Sequence, residues 1–91
     1  MAIVTMRYWA AAKDAAGVPE QELSADTLAA ALTAASATGS ANDAAGSGRL
    51  AAVLARSSFL VDGSPVGRRA AESVLLADGN VIEVLPPFAG G

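Results

Sequence analysis

The two most apolar strand-like runs in this chain lie near its opposite ends, and that separation restricts the fold more than any other feature. From Ile3 to Tyr8, Val4, Met6 and Tyr8 alternate with Thr5 and Arg7, the period-two pattern of a half-buried strand. Val81-Ile82-Glu83-Val84-Leu85 is the second run and the strongest strand signal in the sequence. A chain of 91 residues buries only about two-thirds of its unfolded surface, so both runs have to share one small core. Placing them as adjacent central strands, with a helix across one face, buries both and gives an α+β architecture.

The segments between them fit that plan. Trp9 to Ala16 is alanine-rich and reads as a helix that Gly17 closes, with Pro19 preventing continuation. Glu20 to Ser24 is short and polar, suited to an edge strand that pairs with the first. Asp26 or Thr27 can cap a helix that places Leu28, Ala31, Leu32 and Ala35 on one face. Residues 36–48 turn to Ser, Thr, Gly, Asn and Ala, the composition of a flexible loop. Leu50, Val53 and Leu54 then recur at helical spacing between Arg49 and Arg56. Phe59-Leu60-Val61 reads as a strand, Asp62-Gly63 as a reversal and Pro65-Val66 as a short return. Val74-Leu75-Leu76 is expected to form a buried turn, and Asp78-Gly79-Asn80 another reversal before the last strand. The expected order is ββα(α)ββ, a four- to five-stranded sheet with a main helix across one face. Residues 1–85 form the domain and 86–91 an extended tail. The β-grasp (ubiquitin-like) arrangement satisfies this order, although periodicity alone supports only α+β.

Composition removes most catalytic chemistries. The chain has no cysteine and no histidine, so neither zinc ligation by those residues nor a Cys–His or Ser–His–Asp arrangement is available. The aspartates at 62 and 78 each precede glycine and read as turn formers, with no metal site expected. Net charge is −3 and Arg68-Arg69 is the only basic doublet, which argues against a phosphate backbone as partner. Ala10-Ala11-Ala12 superficially resembles a signal-cleavage site, but the apolar run before it is short and broken by Thr5 and Arg7. With no stretch long enough to span a bilayer, a soluble cytoplasmic protein with no membrane or nucleic-acid partner is expected.

The distinctive group is then the end of the chain, Pro86-Pro87-Phe88-Ala89-Gly90-Gly91. Proline fixes φ and lacks an N–H, so Pro86-Pro87 should end the last strand and direct the backbone outward. Two glycines without side chains can enter a channel too narrow for other residues. Six extended residues reach roughly 20 Å at about 3.3 Å each, enough to place the α-carboxylate of Gly91 inside a partner's active site.

Read together, these segments resemble the ubiquitin-like sulfur-carrier (MoaD/ThiS) family, which includes the small subunit of molybdopterin synthase. The likeness covers nearly the whole chain. It is carried by Val4 to Ala10, ending in an aromatic pair and alanine, by Gly17 closing the first helix, by Thr27-Leu28 to Leu32, by Phe59 to Gly63, by Leu76 to Ile82, and most specifically by Pro86 to Gly91. Two departures stand out: Asn80 replaces the usual acid, and Lys13-Asp14 replaces Arg-Glu, keeping the charges but not the guanidinium fork.

The resemblance implies a β-grasp fold and a non-catalytic sulfur donor. An E1-like adenylyltransferase would use ATP to adenylate Gly91, and a sulfurtransferase or desulfurase persulfide would displace AMP to leave a thiocarboxylate. The loaded tail would insert into the large subunit of molybdopterin synthase, in an assembly of two large and two small subunits, and donate sulfur to cyclic pyranopterin monophosphate. Gly91 is thus the expected reacting residue. Gly90, Ala89, Phe88, Pro87 and Pro86 are expected to thread partner active sites, with Phe88 in a pocket, and no cofactor is expected to be bound. Trp9 is a candidate interface residue, core packing being the competing role, and Arg68-Arg69 is either a contact for an acidic patch or a solvated loop. The alternatives are a sulfur carrier for thiamine or cysteine synthesis, a ubiquitin-like protein modifier, and a passive interaction module.

Overall fold

The two distant apolar runs pair directly. The computed structural model describes residues 2–38 and 44–87, and in it β1 (Ile3–Tyr8) and β5 (Val81–Leu85) lie side by side and parallel, with Thr5 opposite Val81 and Tyr8 opposite Val84. β2 (Glu20–Ser24) folds back antiparallel on β1, with Val4 opposite Leu23, and forms one edge. β3 (Ser58–Val61) is antiparallel to β5 on its other side, and the two-residue β4 (Ser64–Pro65) closes the second edge. The strand order β2-β1-β5-β3-β4, with helices linking the β1–β2 hairpin to β3, is the β-grasp (ubiquitin-like) arrangement. Glu20–Ser24 is the edge strand expected, protected by the charges of Glu20 and Glu22, and the second edge is protected by its brevity and Pro65.

Among the described residues three helices complete the domain: α1 (Ala10–Ala16), α2 (Leu28–Thr38) and α3 (Ala44–Arg56), followed after β4 by a 3-10 turn at Ala71–Ser73. Gly17 ends α1 in the left-handed conformation at φ 80°, donating its N–H to the Lys13 carbonyl at 2.9 Å. Thr27 caps α2, its Oγ1 accepting from the Ala30 amide at 3.1 Å. The core side chains are Val4, Met6, Tyr8, Leu28, Leu50, Ile82 and Val84, all essentially without solvent contact. The large aliphatic members contribute about 1.5–3 kcal/mol each. Ala12, Ala31 and Ala35 are just as buried, and their small side chains let the helices approach closely.

Two expectations need correction. The segment 36–48 is not a single loop: α2 continues through Thr38 and α3 begins at Ala44, well before Arg49, while 39–43 lie outside the described residues. Alanine is the best helix former, and an Ala/Ser/Thr/Gly tract offers no apolar contrast by which helix and linker could be told apart. Val74-Leu75-Leu76 is not uniformly buried: Val74 is enclosed, but Leu75 is 79% exposed. Leu75 forms an isolated bridge with Thr27, and extended backbone there sends successive side chains to opposite sides.

Candidate functional site: the root of the C-terminal tail

β5 is held on both sides through Val84, which lies level with Tyr8 and Phe59, and on one side at Leu85, level with Ser58. Pro86 follows and is buried, while Pro87 is exposed. The chain therefore leaves the sheet from its centre. Phe88, Ala89, Gly90 and Gly91 lie outside the described residues.

The parallel pairing of β1 with β5 decides what surrounds this exit. Strands that run the same way end together, so Trp9, one residue past Tyr8, comes to the same end of the sheet as Leu85. Its backbone stays extended at φ −118°, ψ 150°, and the chain then turns sharply at Ala10, whose φ is 48°. Left-handed backbone costs a non-glycine residue about 1–2 kcal/mol. Trp9 is 46% exposed; of its two expected roles, core packing is set aside. Val18 is 41% exposed in the following loop, tied to the same corner by the hydrogen bond from the Tyr8 amide to the Pro19 carbonyl at 2.8 Å.

Strand alternation also leaves one sheet face open. Val4, Met6, Tyr8, Ile82 and Val84 point into the core, and their neighbours Ile3, Thr5, Arg7, Val81, Glu83 and Leu85 are half-buried or exposed. Arg7 sits level with Glu20 on one side and Glu83 on the other. Its Nε lies 3.5 Å from Glu20 Oε2, with both side chains about half exposed, a geometry worth less than about 1 kcal/mol.

At the opposite end, a small polar network fixes where β5 begins. Asp62 Oδ1 accepts from the Val81 amide at 2.8 Å, and its Oδ2 accepts from Asn80 Nδ2 at 2.6 Å. Asn80 Oδ1 in turn accepts from the Ala77 amide at 2.7 Å, and Asp78 Oδ1 accepts from the Ile3 amide at 2.6 Å. These are turn-forming roles, as expected. Sequence reasoning missed the link between Asp62 and Asn80, since nothing in either turn signals a partner 18 positions away.

Arg69 Nε donates to the Val66 carbonyl at 3.1 Å, so this member of the doublet staples its own loop. It borders a groove of about 300 Å³ lined also by Ser58, Phe59, Leu60 and Pro65. Tyr8 donates to Gln21 Oε1 at 2.6 Å, and burial pushes its pKa from 10.0 up to about 12, so its phenol stays neutral at physiological pH. Among the described residues no group of three His, Cys, Asp or Glu could hold a metal ion, and no helix is long and apolar enough to cross a membrane. What the geometry offers is a centrally anchored exit strand, an exposed aromatic beside it and an open sheet face.

The fold defines a ubiquitin-like domain whose last strand lies in the middle of the sheet. A model of the ThiS family matches residues 6–91, and the chain belongs to that family. Its structure is similar to small archaeal modifier protein 1 from Methanosarcina acetivorans, at 24% identity and a TM-score of 0.79, covering 100% of this chain and 98% of that one. It is also similar to a putative molybdopterin converting factor subunit 1 from Pyrococcus furiosus, at 19% identity and a TM-score of 0.73, covering 97% and 100%. A third likeness is to small archaeal modifier protein 1 from Haloferax volcanii, at 20% identity and a TM-score of 0.72, covering 98% and 99%. At these identities the structural likeness shows the fold. No curated protein matches the sequence.

Proposed function

We propose that this chain is a sulfur carrier whose reacting group is the α-carboxylate of Gly91, and that it serves as the small subunit of molybdopterin synthase. The observation that carries the reading is the family match running through Gly91, which takes in the whole Pro-Pro-Phe-Ala-Gly-Gly ending. The similarity to a putative molybdopterin converting factor subunit supports the destination.

In this reading a carboxylate, a poor electrophile, is first adenylated by an E1-like partner at the expense of ATP, releasing pyrophosphate. A persulfide sulfur displaces AMP, and a thiol reductively cleaves the resulting acyl disulfide to leave the thiocarboxylate. Two such deliveries supply the dithiolene sulfurs of molybdopterin from cyclic pyranopterin monophosphate. This chain's part is to present the reagent: β5 anchors the segment, Pro86 and Pro87 aim it, and Gly90 and Gly91 admit it to the partner's channel. Trp9, Val18 and the open sheet face around Leu85 form the docking surface. Side-chain catalysis and nucleotide binding belong to the partners.

The test is reconstitution. The chain, ATP, an E1-like adenylyltransferase and a sulfurtransferase should yield a loaded chain that converts cyclic pyranopterin monophosphate with a synthase large subunit. A loaded chain that instead supports only a thiazole or cysteine synthase would overturn the destination and keep the carrier chemistry. The similarity to two archaeal modifier proteins favours one second reading, in which the activated Gly91 is transferred to lysine amines.

A further inference from the structure

An activated Gly91 is an electrophile, so the nucleophiles of this chain's own surface matter. The sequence contains a single lysine, Lys13, with no cysteine and no histidine. The other five basic residues are arginines, which stay protonated and do not attack acyl groups. The Tyr8 phenol is buried and donates to Gln21. Serine and threonine hydroxyls need a general base to become nucleophiles, and the chain has no imidazole to supply one. Among side chains, that leaves the Lys13 amine.

Its position suits an acceptor. Lys13 is exposed in the last turn of α1, whose Ala12 and Ala15 are buried. α1 packs against α3, on the core side of the sheet. A group attached to Lys13 therefore leaves the open sheet face uncovered.

We propose that Lys13 is the acceptor when one copy of this chain is joined to another, so that every side-chain-linked self-conjugate carries the same bond, from the Gly91 carbonyl to Lys13 Nζ. The inference rests on the activation of Gly91 proposed above. The neutral amine attacks the carbonyl carbon of the acyl-adenylate, a C–N bond forms, the C–O bond to AMP breaks, and AMP departs with the electron pair. The ammonium proton passes to water. ATP consumed in the adenylation supplies the driving force, and no oxidant or reductant is involved. Because each copy carries one lysine, every side-chain-linked conjugate is unbranched.

The experiment incubates the full chain with ATP, Mg²⁺ and an E1-like adenylyltransferase, following activation by pyrophosphate exchange and conjugates by denaturing gel and tandem mass spectrometry. Expected is a dimer with a branched peptide at Lys13, lost in Lys13→Arg while exchange continues unchanged. Persistence of the dimer in Lys13→Arg, which would place the bond on an N-terminal amine or a hydroxyl, overturns the proposal. So does exchange with no dimer, although that result leaves the carrier reading standing. Absence of exchange in both proteins would instead overturn the activation of Gly91 and this inference with it.

Discussion

Asn80 shows how much a single residue can hold. Its amide donates to Asp62 and accepts from Ala77, so it serves two partners of opposite polarity at once, which a carboxylate cannot do. Asn80→Asp would set two carboxylates against each other where the amide donor now lies 2.6 Å from Asp62. The expected loss is about 1 kcal/mol at neutral pH, softened by solvent at this exposed site, and read as a lower urea midpoint with unchanged slope. Trp9 is expected to act chiefly on binding. With nearly half its surface in solvent and the rest covered, Trp9→Ala should cost about 1–2 kcal/mol of stability. It should weaken binding to the proposed activating enzyme or synthase partner by about tenfold or more in titration calorimetry. A large loss of stability with unchanged affinity would return Trp9 to the core. Its exposure was not legible in the sequence, because an aromatic following an apolar strand reads equally well as core. Only the parallel pairing of β1 with β5 puts it at the exit.

Among the elements, legibility followed contrast. β1, β2, β3 and β5, the Gly17 stop and the Thr27 cap all stood out because apolar and polar residues alternate there or a turn residue punctuates them. α2 and α3 were blurred where alanine, serine and glycine run together, since neither period nor boundary survives without contrast. Val74 to Leu76 failed for a related reason: three apolar residues in a row mark burial but not which of them faces inward. The β1–β2 hairpin carries a pH signature of its own. The Tyr8 pKa stands at about 12 in the folded chain against an ordinary 10.0. Below pH 10 both states keep the proton and the stabilisation is fully present. Above it the unfolded chain alone ionises, so stability falls as pH rises toward 12, by about 3 kcal/mol in all. Denaturation between pH 8 and pH 12 (spanning the approximate window above) should show that slope in the wild type. Tyr8→Phe should lack it, at a cost near neutrality of about 1 kcal/mol for the lost Gln21 bond. Equal slopes in the two proteins would contradict a buried, neutral phenol.

At the scale of the whole molecule, the sheet brings the first and last strands together at its centre. The α+β class and the adjacency of the first and last strands were readable from where the apolar runs lie. The parallel sense of that pair, which gathers Trp9, Val18 and Leu85 around the exit, is a property of the assembled sheet. The proposed reacting group was reached by elimination: with cysteine and histidine absent, the carboxylate of Gly91 was the distinctive group left. The most direct measurement is the intact mass of the chain purified from its native cell, beside a variant lacking Gly91. The account predicts a species in which sulfur replaces one terminal oxygen, present in the full chain and missing in the deletion, with both proteins melting alike. An unaltered mass under every growth condition, or the same sulfur adduct in the deleted chain, would contradict it.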